Sequence, residues 1–386
     1  MNDRTAITGA RIFDGHVWHD DQVLLLDGGK IAGILPADAL ASGTEKVEAG
    51  GRLLVPGFID LQVNGGGGVM LNDRQDADAI RTICAAHAKF GTTALLPTLI
   101  TDTFEIRAAA IAAGRRAIAE NVPGFLGLHL EGPHLSVARK GAHDPALIRP
   151  MDAADLKAML DCAGAFDAMM VTIAPENATA DQVGALAQAG IIVSIGHTDS
   201  SYETVAAYAA AGARTVTHLF NAMSPLGHRE PGVVGAALDL GGLHAGIIAD
   251  GFHVDPVSMS LALRAKNGPG RIFVVTDAMS TIGSDQTSFL LNGREIFRKG
   301  GRLTLADGTL AGADIDMLSS VRFLHERLCL SLDEAIRMAS AYPADAAGIS
   351  ACKGRLAPGL DADFVLLTEN LQMAATWIGG VQVYRA

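Results

Sequence analysis

The sequence predicts an α/β protein: a (β/α)8 TIM-like barrel carrying a small β-sandwich domain formed by both chain termini. Three observations carry that expectation. Eight short apolar runs alternate with helical segments through the middle of the chain, β-rich stretches with turn residues occupy both ends, and polar, chemically able residues stand just past several of the apolar runs. A chain of 386 residues has room for one barrel of about 250 residues and an accessory domain.

Residues 1–54 read as the first part of the small β domain. Ala6–Phe13, Val23–Leu26 and Lys30–Ile34 are β-rich, and Asp27-Gly28-Gly29 supplies a hairpin turn. Residues 55–350 read as the barrel. Its apolar runs are Phe58–Val63, Thr93–Thr98, Gly124–Leu130, Met170–Ile173, Ile191–Ile195, Thr215–Thr217, Ala245–Ile248 and Arg271–Val275. Between the fifth and sixth, the alanine-rich Tyr202–Ala211 closed by Gly212 predicts a helix with a glycine cap. Residues 351–386 return to strand character at Gly354–Gly359, Asp363–Leu367 and Thr376–Tyr384, which predicts the second part of the β domain. Gly65–Gly68 reads as a flexible loop, since no P-loop lysine follows it.

Composition excludes several functions. Apolar residues make up 49% and charged residues 19%, the balance of a large core. Acidic residues outnumber basic ones, 42 to 30, for a formal charge of −12, and no basic cluster offers a phosphate-backbone groove, which disfavours nucleic acid. No signal-peptide pattern opens the sequence and no apolar run approaches the ~20 residues of a membrane helix, so the expected location is the cytoplasm. The four cysteines are widely spaced, which predicts reduced, mostly buried thiols.

In a parallel barrel the carboxyl ends of all strands share one rim, where function lies. Glu131 follows the third run, His197 the fifth, His218 the sixth, Asp250 and His253 the seventh, and Asp277 the eighth. Glu131, His197 and His218 form a carboxylate and two-imidazole set suited to zinc or another borderline divalent ion, which lowers the pKa of a bound water toward ~7. Asp277 suits a group that takes the proton of that water and then passes it to a leaving amine; the alternative is a helix N-cap. Of the remaining histidines, His16, His19, His87 and His325 read as structural. His129 is expected in the barrel interior or helix layer, His134 and His228 beside the site, and His244 at the opposite rim.

LVPGFIDLQVNG, LHLEGPH, KGAH, IGHTD, THLFNAM, ADGFHVD, VVTDAMS and KGRLAPGLDADFVLL occur in that order over nearly the whole chain. Together they resemble the N-acetylglucosamine-6-phosphate deacetylase family of the amidohydrolase superfamily. The resemblance implies metal-dependent hydrolysis of the acetamide of N-acetyl-D-glucosamine 6-phosphate, by metal-bound hydroxide, to D-glucosamine 6-phosphate and acetate. It implies Glu131, His197 and His218 as ligands of one divalent ion, zinc, and Asp277 as general base and acid. Where many amidohydrolases carry His-x-His for a second metal, this chain has Gln62-Val63-Asn64, and neutral amides are poor zinc ligands. The resemblance places the sugar phosphate on the backbone N–H groups of Asn221 and Ala222, on His253, and on Arg229 reaching across a homodimer into the neighbouring site. It adds Ala142 and His143, and Leu310, Ala311 and Gly312, as substrate contacts, and Asp250 and Gly251, just before His253, are expected to line the same pocket. The competing readings are an amidohydrolase for another N-acyl amino-sugar phosphate such as the galactosamine epimer, one for a cyclic amide, and a non-catalytic scaffold.

Overall fold

The computed structural model describes residues 4–386. Eight strands form one sheet in strict sequence order, each parallel to the next. They are β1 (Phe58–Val63), β2 (Thr92–Ile100), β3 (Gly127–Glu131), β4 (Ala168–Ile173), β5 (Ile192–Ile195), β6 (Thr215–Val216), β7 (His244–Ile247) and β8 (Ile272–Val274). All eight expected runs are strands, with ends that differ by up to three residues. Every residue of β1 and β2 is buried, because a parallel strand inside a helical shell has no solvent face, and this is why these strands are continuous apolar runs. The loops that follow the strands end on helix caps. The side chains of Asp76, Thr103, Asp152, Thr179, Ser201 and Asp255 each accept a hydrogen bond from the first turn of the next helix. The predicted helix Tyr202–Ala211 is present and ends on Gly212, whose φ of 122° only glycine adopts without strain.

The seam between β8 and β1 is closed differently from the other seven. The two strands share no ladder among the described residues; instead Val63 bridges to Ala278, Asp277 N–H donates to Gln62 O (2.9 Å), and Asn64 N–H donates to Ala278 O (2.8 Å). Beneath these bonds the buried carboxylate of Asp60 accepts from Thr276 Oγ1 at 2.5 Å and from Thr276 N–H at 3.2 Å. Burial pushes the Asp60 carboxyl up to about 7, against the hydrogen bonds from Thr276 and Gln62.

Both ends of the chain contribute to a six-stranded sheet, in the order Val381–Arg385, Met373–Ile378, Phe364–Leu367, Leu53–Pro56, Arg11–Phe13 and Trp18–His19. A four-stranded sheet of Lys30–Pro36, Gln22–Asp27, Arg4–Thr8 and Glu45–Glu48 accompanies it. Ile7, Leu24, Leu26, Leu54, Phe364 and Trp377 form a core shared by the two. Three expectations are corrected here. Gly354–Gly359 is turn rather than strand, Thr376–Tyr384 is split into a hairpin by Gly379-Gly380 at φ 55° and 75°, and Ala6–Phe13 is broken at Gly9.

A fourth sheet went unforeseen. Between β8 and the next helix, Met317–Glu326, the chain folds into antiparallel strands Ser288–Leu291, Arg294–Lys299, Arg302–Thr304 and Leu310–Ala313. Leu291, Ile296, Leu303 and Ala311 on its inner face pack on Met70, Ile100 and Met279. Leu310 and Gly312 thereby reach the carboxyl-end rim of the barrel. No described helix is long and apolar enough to cross a membrane. All four cysteines are free; Cys84 and Cys162 are buried as expected, whereas Cys329 and Cys352 are exposed.

Candidate active site

A cavity of about 160 Å³ opens at the carboxyl ends of the barrel strands. Glu131 is the last residue of β3, His197 stands two residues past β5 and His218 two past β6, so the parallel register brings all three to one side of the rim. Glu131 Oε1 lies 3.2 Å from His197 Nε2 and 3.2 Å from His218 Nε2, and the two imidazole nitrogens are 3.0 Å apart. Two ring nitrogens and a carboxylate oxygen forming such a tight triangle suit a common cation. Zinc ligands lie ~2.0–2.2 Å from the ion. His197 Nδ1 is 2.9 Å from Arg139 O, an acceptor, so the proton sits on Nδ1 and the Nε2 lone pair faces the triangle. His218 Nδ1 has no partner among the described residues. Burial raises the Glu131 carboxyl, but hydrogen bonding from His197 and His218 outweighs it and holds the group well below the ordinary carboxylate range.

Glu131, His143 and His197 also lie close enough together to hold a metal, which makes His143 a rival third ligand. The geometry favours His218: His143 Nε2 is 3.8 Å from Glu131, and its Nδ1 is engaged at 2.7 Å with Thr101 Oγ1. Burial, followed by the charge of His197, pulls His143 down to about 3, so the ring is neutral.

Asp277 lines the same cavity across from Glu131. It is no helix cap. Its Oδ1 accepts from Asn64 Nδ2 at 2.6 Å and from Gln62 Nε2 at 3.2 Å, and Gln62 Nε2 also reaches Glu131 Oε1 at 3.1 Å. The two amide side chains, read in the sequence only as poor metal ligands, are therefore the hydrogen-bond donors that fix Asp277 and join it to Glu131. Burial, then the charge of Glu131, pushes Asp277 up to about 6.

The backbone is unusual where the chemistry is concentrated. His197, His218 and Asp277 have φ of 48°, 26° and 51°, and Phe220 and Ala222 are also positive at 77° and 50°. Non-glycine residues in this region cost about 1–3 kcal/mol each and persist where the surroundings hold them. Beneath the rim, the barrel interior carries a chain of hydrogen bonds above the apolar side chains of Leu96, Met170, Ile192 and Phe273. His129 Nε2 bonds Thr172 Oγ1 (2.7 Å), Thr172 bonds Thr217 (2.7 Å), and Ser194 bonds Thr217 (2.6 Å). This places His129 inside the barrel.

The other expected site residues divide. Ala142, His143, Asn221, Ala222, His253, Leu310 and Gly312 line the cavity with Asn64. Asp250 and Gly251 do not: Asp250 stands behind His253, accepting from His253 Nδ1 at 2.6 Å and from the N–H groups of Phe252 and His253, and Gly251 lies against Phe323. Ala311 faces the core of the inserted sheet. Asn221 N–H is already donated to His218 O at 3.0 Å, which removes it as a free anion donor; Ala222 N–H has no partner among the described residues. Arg229 is exposed and outside the cavity of its own chain, as are its neighbours Gly227 and His228. Ile100, Ile248, Met279 and Leu291 supply an apolar wall that sequence patterning gave no reason to single out.

An eight-stranded parallel barrel with a carboxylate and two imidazoles converging at its carboxyl-end rim, beside a buried aspartate, defines a metal-dependent hydrolase. The amidohydrolase family model matches residues 53–383, and the chain belongs to that family. Within it, the chain is 44% identical over 333 residues to N-acetylgalactosamine-6-phosphate deacetylase of Shewanella sp. (strain ANA-3), covering 86% of this chain and 84% of that protein. It is 37% identical over 363 residues to N-acetylglucosamine-6-phosphate deacetylase of Haemophilus influenzae, covering 93% and 94%. The solved structure of N-acetylglucosamine-6-phosphate deacetylase from Pasteurella multocida superposes with a TM-score of 0.95 at 35% identity, over 99% of this chain and 100% of that one.

Proposed function

We propose that the chain hydrolyses the acetamide of N-acetyl-D-glucosamine 6-phosphate to D-glucosamine 6-phosphate and acetate. The observation that carries this is the triangle of Glu131, His197 and His218, closed to within 3.2 Å, beside an aspartate tethered by two amides. Those three residues would hold one zinc ion. Bound there, a divalent cation supplies a Lewis acid that polarises an amide carbonyl and acidifies water. Asp277, ionised above its raised pKa, accepts the proton of the attacking water and returns it to the departing nitrogen. His143 is neutral and packs edge-on to His197; with Thr101 N–H directed at its Nδ1 (3.4 Å), Nε2 carries the proton and donates to the acetyl carbonyl or a sugar hydroxyl.

The phosphate falls to Ala222 N–H, the Asn221 side chain and His253, whose ring Asp250 orients. Arg229, exposed on its own chain, would complete the site of the second subunit in a homodimer, where its planar fork suits phosphate oxygens. Residues 55–350 would carry the reaction, with 1–54 and 351–386 as an accessory β domain. Four free thiols accord with a cytoplasmic location.

The 44% identical relative keeps the galactosamine epimer in view. An acetate-release assay on both 6-phosphates and on unphosphorylated N-acetylglucosamine, with chelation and metal add-back, tests the reading. The expected ranking puts the glucosamine phosphate first. Preference for the C4 epimer would reassign the sugar, and indifference to phosphate would defeat the sugar-phosphate assignment.

A further inference from the structure

Asp60 is the third residue of β1, fully buried, and no lysine, arginine or histidine pairs with it among the described residues. A carboxylate held in a core without a cation costs several kcal/mol unless hydrogen bonds compensate. Three donors converge on Asp60: Thr276 Oγ1 at 2.5 Å, Thr276 N–H at 3.2 Å and Gln62 N–H at 3.2 Å. They come from β1 and from the chain just past β8, the two strands that fail to pair, so the carboxylate takes the place of the missing ladder at the β8–β1 seam.

What stands on that seam gives the arrangement its function. Thr276 is the residue before Asp277. Gln62 accepts the Asp277 N–H through its carbonyl (2.9 Å) and donates its amide to both Asp277 and Glu131. We infer that Asp60 is a positioning residue for amide hydrolysis: by tying Thr276 to Gln62 from below, it sets the reach of Asp277 toward the reacting nitrogen. It touches neither substrate nor metal ligands. A carboxamide can keep its oxygen on the N–H groups of Thr276 and Gln62, but its NH2 faces the Thr276 hydroxyl only if that hydroxyl turns round to accept, which gives up the short charge-assisted bond at 2.5 Å.

This rests on the deacetylase reading, and wild-type turnover is the control that separates the two; a wild-type chain without activity refutes that reading, whereas the variants below judge Asp60. The test compares Asp60→Asn with wild type on N-acetylglucosamine 6-phosphate and on its N-trifluoroacetyl analogue, whose activated carbonyl depends less on proton transfer. The expected result is kcat lowered about 10- to 100-fold, as for a misplacement on the scale of 1 Å, with KM within about two-fold and one metal ion per chain retained. The loss should shrink on the trifluoroacetyl substrate. Unchanged kcat, or the same loss on both substrates, overturns the inference. If Asp60→Asn does not fold, Thr276→Val, which removes one donor at constant shape, carries the test: the same split at smaller size supports the inference, and wild-type turnover on both substrates refutes it.

Discussion

Replacing Asp277 by asparagine isolates proton transfer from everything else at the site. The carboxylate contributes Oδ1 to two donors, Asn64 Nδ2 and Gln62 Nε2, and its backbone N–H to Gln62 O. An asparagine can keep its own oxygen toward those donors, so the local geometry survives. Glu131, His197 and His218 are untouched, so the metal should stay. What disappears is the basic oxygen, and acid–base groups of this kind are ordinarily worth ~10²- to 10⁴-fold, or about 3 to 5 kcal/mol in barrier. Asp277→Asn should therefore lose that much kcat while melting within a few degrees of wild type and holding one ion by elemental analysis. The wild-type pH profile supplies the companion test. Asp277 must be ionised to accept a proton, so kcat/KM falls as pH drops through its pKa. That pKa is raised to about 6 by burial and by the charge of Glu131, and a cation on Glu131 offsets the second cause, so the acid limb belongs at or below 6. Wild-type turnover in Asp277→Asn would remove Asp277 from the reaction.

Three further outcomes follow from the structure. Both hydrogens of Gln62 Nε2 are committed, one to Glu131 and one to Asp277, which leaves no vacancy for a second cation between them; metal titration of the chelated protein should regain activity at about one equivalent, and a requirement for two would refute this. Arg229→Ala should raise KM with little change in kcat, and mixing it with Asp277→Asn should generate heterodimers with one intact site, so that at substrate well below the raised KM the mixture turns over faster than the two variants assayed separately; no gain would argue that Arg229 serves its own chain or none. Asp155, buried between Arg107 and Arg149, anchors the segment that carries Ala142 and His143. Burial opposes its charge, but those arginines hold its carboxyl below the ordinary range, so its contribution is present above the unfolded pKa near 3.9 and is lost as pH falls below it. Asp155→Asn would leave the buried Arg107 unpaired and cost about 3 kcal/mol in urea unfolding at pH 7, and a loss below 1 would show the pair to be dispensable.

The barrel was legible because its signal is local. Each strand is buried on both faces and so reads as an unbroken apolar run, and the ligands follow their strands directly in sequence. The inserted sheet was not, since its strands are only half buried and alternate weakly; Asn292-Gly293 and Gly300-Gly301, at φ 50°, 73°, 59° and 73°, were the two-residue turns that could have revealed it. Gln62 and Asn64 show a different limit. That they lack metal affinity can be argued from amide chemistry, but that they grip Asp277, 215 and 213 positions away, exists only once the barrel closes. Likewise Asn221 was a reasonable phosphate donor until the left-handed turn after His218 consumed its N–H.

The left-handed backbone at His197, His218 and Asp277 sets local preference against the working site. At these three positions the side chain that chemistry demands is one the backbone would exchange for glycine, which occupies that region freely. Selection for a more stable fold and selection for turnover therefore point to different residues at the same three places. A stability-guided redesign of this barrel would be drawn first to the positions it could least afford to change.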